Sequence, residues 1–414
     1  MTTVPVIEKS AVSTRPSRGG WRHALALVSM ALLIAGCASG RPVTGALIAS
    51  QDSAPGAVEH TIFIATTRAR DDSKGTYFSG ERIEPGDDGA ALDFASATVS
   101  VPPGHVPGAI EWPNAPPGDP AKDFVTRSAG YIDNADAFQA ALKSELAGRK
   151  GEARDIVVFV HGFNTLFAEG VYRMAQSVND TGFKGVPVLF TWASRGNLLD
   201  YVYDNNSATA ARDALEQTLR IASASGAGKV HVLAHSMGNW VTLEALRQAE
   251  IGGHGTFGGK LGQVVLASPD IDVDVFKAQV RRLDSAKSEM SLLVSTDDRA
   301  LDLSSRIAGG KPRLGSYIKD KEIAALGITV FDLTAVRTPD KLRHGKYAEV
   351  PGLAQLISTR LAAGDQLAVA RTGFSDRVGQ FGTSLGGFVG ATAGIVITTP
   401  AMVLGAPAAL LGRR

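Results

Sequence analysis

Cysteine is nearly absent: Cys37 is the only one among 414 residues. A single thiol cannot form an internal disulfide and cannot build a cysteine-ligated zinc site. A surplus of either charge is also missing. Lys plus Arg number 42 and Asp plus Glu 41, a formal net charge of +1. No broad basic field exists to hold a phosphate backbone, so no nucleic-acid partner is expected. Long hydrophobic runs are scarce near the N-terminus. The apolar stretch ALALVSMALLIAG (24–36) is shorter than the roughly 20 residues a membrane span needs. What the chain does have is enough apolar character for a large core. Apolar residues make up 44% and charged residues 20%, which excludes a wholly disordered protein.

The first 36 residues read as an address. Residues 1–23 are polar and basic, and the apolar run that follows has the length of a signal h-region. Cys37 comes directly after Ile34-Ala35-Gly36. That arrangement resembles the bacterial lipoprotein signal. The resemblance implies cleavage before Cys37 and acylation of its thiol, each buried methylene adding about 0.8 kcal/mol of membrane affinity. Ala38, rather than an aspartate, follows the cysteine. This implies a lipid-anchored protein of the cell envelope, on the periplasmic face of the outer membrane rather than the inner one. Losing residues 1–36 removes Lys9, Arg15, Arg18 and Arg22 against Glu8, which turns the net charge from +1 to −2.

Residues 37–58, rich in Ala, Gly, Ser and Pro, read as a flexible tether. HTIFIATTRAR (60–70) and ASATVSVPPGH (95–105) read as strands, and seven prolines make 102–120 an irregular loop. From 155 onward strands and helices alternate. Continuous apolar runs at 155–163, 186–194, 229–236, 263–271, 290–298 and 328–334 suit buried parallel strands. Helices are expected at 165–179, 207–225, 237–250 and 352–364. This alternation predicts an α/β fold with a doubly wound, mostly parallel sheet, in one domain over 59–366. Its ligands should bind at the carboxyl ends of the strands. The tail, 367–414, is different. Gly382, Gly386, Gly390 and Gly394 recur every four residues with no charge between Arg377 and Arg413, a pattern that lets helix backbones approach closely in lipid. A membrane-associated tail is one expectation, and a single span, a helical hairpin and a surface-lying helix all fit it.

The strongest chemical signal is VLAHSMGNW (232–240). Ser236 stands where a buried strand stops and a helix begins, with Ala234 and Gly238 two residues to either side. A nucleophile elbow needs those small neighbours, because the serine sits in a tight, strained turn. Serine needs a base. His344 is the only histidine after the last predicted strand, and the elbow goes with the chain order Ser, acid, His. The acid is offered at two strand ends, by Asp297 and Asp298 in STDDRAL and by Asp270 and Asp272 in SPDID. Asp298 is preferred and Asp270 is the alternative. Backbone amides of Met237, after the elbow, and Phe163, in the turn after VVFVHG, should receive the oxyanion, with Asn164 pinning that turn through its side chain. Phe163, Phe167, Trp192 and Trp240 are candidates to line an acyl pocket.

Together FVHGFN, FTWAS, LAHSMGNW, SPDID, DRAL and the late histidine resemble the α/β-hydrolase superfamily, and within it a bacterial esterase/lipase-like subgroup. The resemblance covers roughly residues 60–365. It implies a serine hydrolase acting on an ester or lipid-like substrate, with no cofactor and no metal. An acyltransferase, or an inactive envelope-anchoring module on the same fold, would carry a similar sequence.

Overall fold

The computed structural model describes residues 41, 44–85, 91–317, 319–349 and 395–400. The chain runs through β1 (Val58–Thr66), β2 (Arg68–Asp71), β3 (Tyr77–Arg82), β4 (Asp93–Val101) and β5 (Val125–Ile132) before the first described helix, α1 (Ala135–Leu146). Then follow β6 (Ile156–Val160), α2 (Phe167–Thr181), β7 (Val186–Thr191), α3 (Tyr201–Ala210), α4 (Arg212–Ala224), β8 (Val230–His235) and α5 (Gly238–Ile251). The last part holds β9 (Leu261–Ala267), α6 (Val273–Val280), β10 (Met290–Val294), α7 (Arg299–Ile307), α8 (Asp320–Ala324), β11 (Thr329–Asp332), α9 (Lys346–Glu349) and β12 (Val396–Thr398).

Among the described residues ten strands form one sheet in the order β12-β11-β10-β9-β8-β6-β7-β1-β4-β5. The stretch from β11 to β1 is parallel, while β4, β5 and β12 add antiparallel edges. Strand β6, IVVFV, is apolar and buried at every position, as a parallel strand covered on both faces should be. In β6, Ile156, Val158 and Val160 join a core with Phe138 of α1, Leu215 of α4 and Val241 of α5. Val157 and Phe159 point the other way, into a core with Val171 and Met174 of α2. The sheet is thus wound on both faces. From β6 the chain moves to β7 on one side and then to β8 on the other. The crevice at that reversal, between the carboxyl ends of β6 and β8, is where such sheets hold ligands.

Several expectations change. The 60–70 strand breaks at Thr67 into β1 and β2, and β2 pairs with β3 in a separate two-stranded sheet. The single helix expected over 207–225 is two, α3 and α4, which meet at Ala211. Strand β5 and helix α1 lie in a stretch with no clear apolar period. The 37–58 tether is not free along its length. Leu47 is buried in the α2-side core, Ala46 O accepts from Tyr172 Oη (2.8 Å), and Ser50 N donates to Thr126 O (2.8 Å). One leucine supplied the anchor that a count of Ala, Gly, Ser and Pro passes over. Within the stretch read as tail, the β-branched run Val396-Ile397-Thr398 pairs with β11 as an edge strand. The signal, Cys37, the 352–364 helix and the glycine repeat lie outside the described residues. Among the described residues no helix is long and apolar enough to cross a membrane.

Candidate active site

Ser236 has φ +54°, inside the left-handed region that a residue with a Cβ rarely adopts. It follows β8 directly, and α5 starts two residues later. The turn is tight because its neighbours are small. A Cβ on Gly238 would lie 2.4 Å from His161 O, and one on Gly162 would lie 2.7 Å from the Ser236 Cβ. The elbow is therefore seated on the end of β6. Asn239 secures it from below, its Nδ2 donating to Ser236 O (2.9 Å) and Ala267 O (3.0 Å). Strain of this kind persists only where the surroundings over-determine it.

His344 comes from the loop after β11. Its ring centre is 4.7 Å from that of His235, the residue before Ser236, and its carbonyl accepts from Ser268 Oγ (3.2 Å). Its Nδ1 is 2.7 Å from Asp298 Oδ2. Asp298 is fully buried and also N-caps α7, accepting from Leu301 N (3.0 Å). Burial works against a charged imidazole here. The Asp298 carboxylate outweighs it, helped by Asp270 and Asp340, and holds the His344 pKa above its ordinary value. With Nδ1 committed to Asp298, Nε2 is the nitrogen left to accept a proton.

Asp270, the alternative acid, is held elsewhere. Its Oδ1 accepts from Ser304 Oγ (2.6 Å) and lies 3.1 Å from Arg313 Nε, and its Oδ2 accepts from Tyr201 Oη (3.1 Å). Asp272 N-caps α6. Asp297 has a different duty from its neighbour. Its Oδ1 binds Lys346 Nζ at 2.7 Å and its Oδ2 binds Arg343 Nη1 at 2.9 Å. Lys346, only 1% exposed, also donates to Ser295 Oγ, Leu333 O and Thr334 O. The two residues beside His344 in this web, Arg343 and Lys346, thus tie its loop to the acid loop. A lysine in a charged loop motif reads as solvated, so the sequence hid this role.

Met237 is the N-cap of α5, and Phe163 lies in the turn after β6. The first amides of a helix lack an intrahelical partner, and among the described residues neither the Met237 nor the Phe163 N–H meets an acceptor. The 161–165 turn is shaped by the backbone of Asn164, at φ +58°, whose N–H donates to Asp204 Oδ2 (3.2 Å). The left-handed conformation suits asparagine and, with that amide bond, shapes the turn. His161 is buried under the turn. Its Nδ1 donates to Gly162 O (2.8 Å), and burial together with the Arg68 charge pushes its pKa down to about 3. It is therefore a neutral strut and no base. Of the aromatic set, Trp192 and Phe167 are core residues, while Phe163 and Trp240 are partly buried at its margin. No cluster of metal-ligand type occurs among the described residues.

A doubly wound sheet, a serine on a left-handed strand–helix corner and a His–Asp pair in later loops define the α/β-hydrolase class. Residues 134–360, more than half of the chain, match the family described as "Alpha/beta hydrolase of unknown function (DUF900)", and the chain belongs to that family. A comparison with curated proteins found no match. Among solved structures the chain is similar to the crystal structure of Aspergillus fumigatus lipase B, at 13% identity and a TM-score of 0.35 over 61% of each chain.

Proposed function

We propose that this α/β-hydrolase is a serine hydrolase that cleaves a carboxylic ester through an acyl-enzyme. Ser236 Oγ attacks the carbonyl as His344 Nε2 takes its proton. Asp298 holds the imidazole in the tautomer that leaves Nε2 free and stabilises the imidazolium. The Met237 and Phe163 amides receive the oxyanion. His344 then returns the proton to the leaving alcohol, and water repeats the sequence on the acyl-enzyme. The observation that carries this reading is Ser236 in a strained elbow whose preceding residue, His235, packs its ring 4.7 Å from that of His344, with His344 Nδ1 bound by a buried aspartate.

A fluorophosphonate probe tests it. Wild type is expected to label within minutes and Ser236→Ala not at all; equal labelling of both proteins would end the reading. Turnover of nitrophenyl esters of graded chain length then defines the acyl preference. Placement in the cell envelope through an acylated Cys37 belongs to the same proposal. Cys37→Ser is expected to move the protein from the membrane to the soluble fraction of envelope extracts, and retention of the full amount would leave the anchor elsewhere.

A further inference from the structure

Arg68 lies just past the break at Thr67 that ends β1, well before the family-matched residues 134–360. It is 1% exposed. A guanidinium carries five N–H donors in a rigid fork, and here four of them meet an oxygen within 3.0 Å. Nε donates to Thr191 Oγ1 (2.8 Å). Nη1 donates to Ser79 O (3.0 Å) and Ser194 O (2.8 Å). Nη2 donates to Thr165 O (2.7 Å), and Thr191 Oγ1, which accepts from Nε, in turn donates to His161 Nε2 (2.8 Å). Among the described residues no carboxylate pairs with it. Burial lowers its pKa to about 10, against the more distant pull of Asp204 and Glu169, so it remains a cation at neutral pH. An unpaired buried charge is costly, and an apolar side chain of similar volume would fill the space more cheaply. What an apolar side chain cannot do is gather oxygens from three segments.

Two of those contacts decide the matter. His161 and Thr165 are the two ends of the turn that carries Phe163; Arg68 holds Thr165 directly and His161 through Thr191, the last residue of β7, and the turn also rests on Ser194 just beyond it. We propose that Arg68 is a positioning residue: it holds one end of the 161–165 turn at Thr165 and the other through Thr191, and so aims the Phe163 amide at the oxyanion. This rests on the serine-hydrolase reading for its chemical consequence, though not for its structural one. It makes the N-terminal strands a working part of the site.

Lysine keeps the charge but has three donors at a single point, so Arg68→Lys should loosen the turn. Two readouts separate this proposal from the reading it rests on. The first is amide hydrogen exchange of the full chain. Peptides covering 161–165 should exchange at least tenfold faster in Arg68→Lys while peptides covering 238–250 stay unchanged. Unchanged protection of the turn would overturn the positioning role whatever the chemistry. The second is kinetic, with nitrophenyl acetate. The kcat should fall ten- to a hundredfold with KM within threefold, and affinity for a trifluoromethyl ketone, a tetrahedral mimic, should fall in step with kcat. A lower thermal midpoint with wild-type kcat at low temperature would mark Arg68 as merely structural. If Arg68→Lys does not fold, Thr191→Val removes the Nε acceptor with Arg68 in place and should shift the same readouts in the same direction. Failure of wild type to react with fluorophosphonate would remove the ester reading alone.

Discussion

At the scale of single residues, the His344–Asp298 contact sets a pH dependence. In the proposed mechanism His344 must be neutral to take the serine proton, and its pKa is held above the ordinary histidine value of about 6.5 by the Asp298 carboxylate. The acidic limb of kcat/KM against pH should therefore lie above that value. Asp298→Asn removes the charge, so the limb should move to lower pH while kcat falls by about 10⁴ as the favoured tautomer is lost. A limb that stays in place in the variant would mean that another group is titrating. The same residues show how far sequence carried the site. Ser236 was legible because an elbow depends on its immediate neighbours, Ala234 and Gly238. The choice between Asp298 and Asp270 was not, because each follows a strand and sits near a helix start. Tyr201, Ser304 and Arg313, which engage Asp270, come from three distant segments.

At the scale of elements, the central contact is α5 against the end of β6. Gly238 lets the helix start at van der Waals distance from two backbone carbonyls, Val160 O and His161 O. Backbone cannot yield as a flexible side chain can. Gly238→Ala should cost about 1–3 kcal/mol by overpacking. It should also abolish ester turnover, because the elbow and the 161–165 turn must part to admit the methyl group. A thermal midpoint and activity equal to wild type would contradict this packing account. Buried strands and amphipathic helices were readable here because their apolar runs are continuous or recur at 3.6 residues. Strand β5, VTRSAGYI, was not, since it pairs with β4 at the sheet edge and is half exposed.

At the scale of the whole molecule, the proline-rich segment 102–120 is clasped to α2 by one histidine. His105 Nδ1 meets Glu111 (2.8 Å) and its Nε2 meets Asp180 (2.7 Å), while Asp180 also accepts from Gly108 N and Gln176 Nε2. Both ring nitrogens face carboxylates, so the charged imidazolium is favoured. Burial opposes it, Asp180 and Glu111 prevail, and the pKa is raised. The sign follows from linkage. The stabilisation is complete below the unfolded pKa of about 6.5 and is lost as pH rises through the higher folded value. The thermal midpoint of wild type relative to His105→Asn should thus be largest at acidic pH, before any acid unfolding, and shrink above neutrality. A difference independent of pH would refute the clasp. Gln176 extends the web to Ala348 O in α9, four residues after His344.

Neighbouring residues alone dictate part of this protein. The strand–helix alternation, the strained elbow at Ser236 and the late histidine all follow from short-range pattern, because backbone geometry and apolar period are local properties. Which carboxylate meets His344, why Lys346 and Arg68 are buried, and the docking of Leu47 on the core were settled by the assembled fold. Each of these depends on segments far apart in the chain arriving at one place. Burial then turns an ordinary charged residue into a group that must find every one of its partners there.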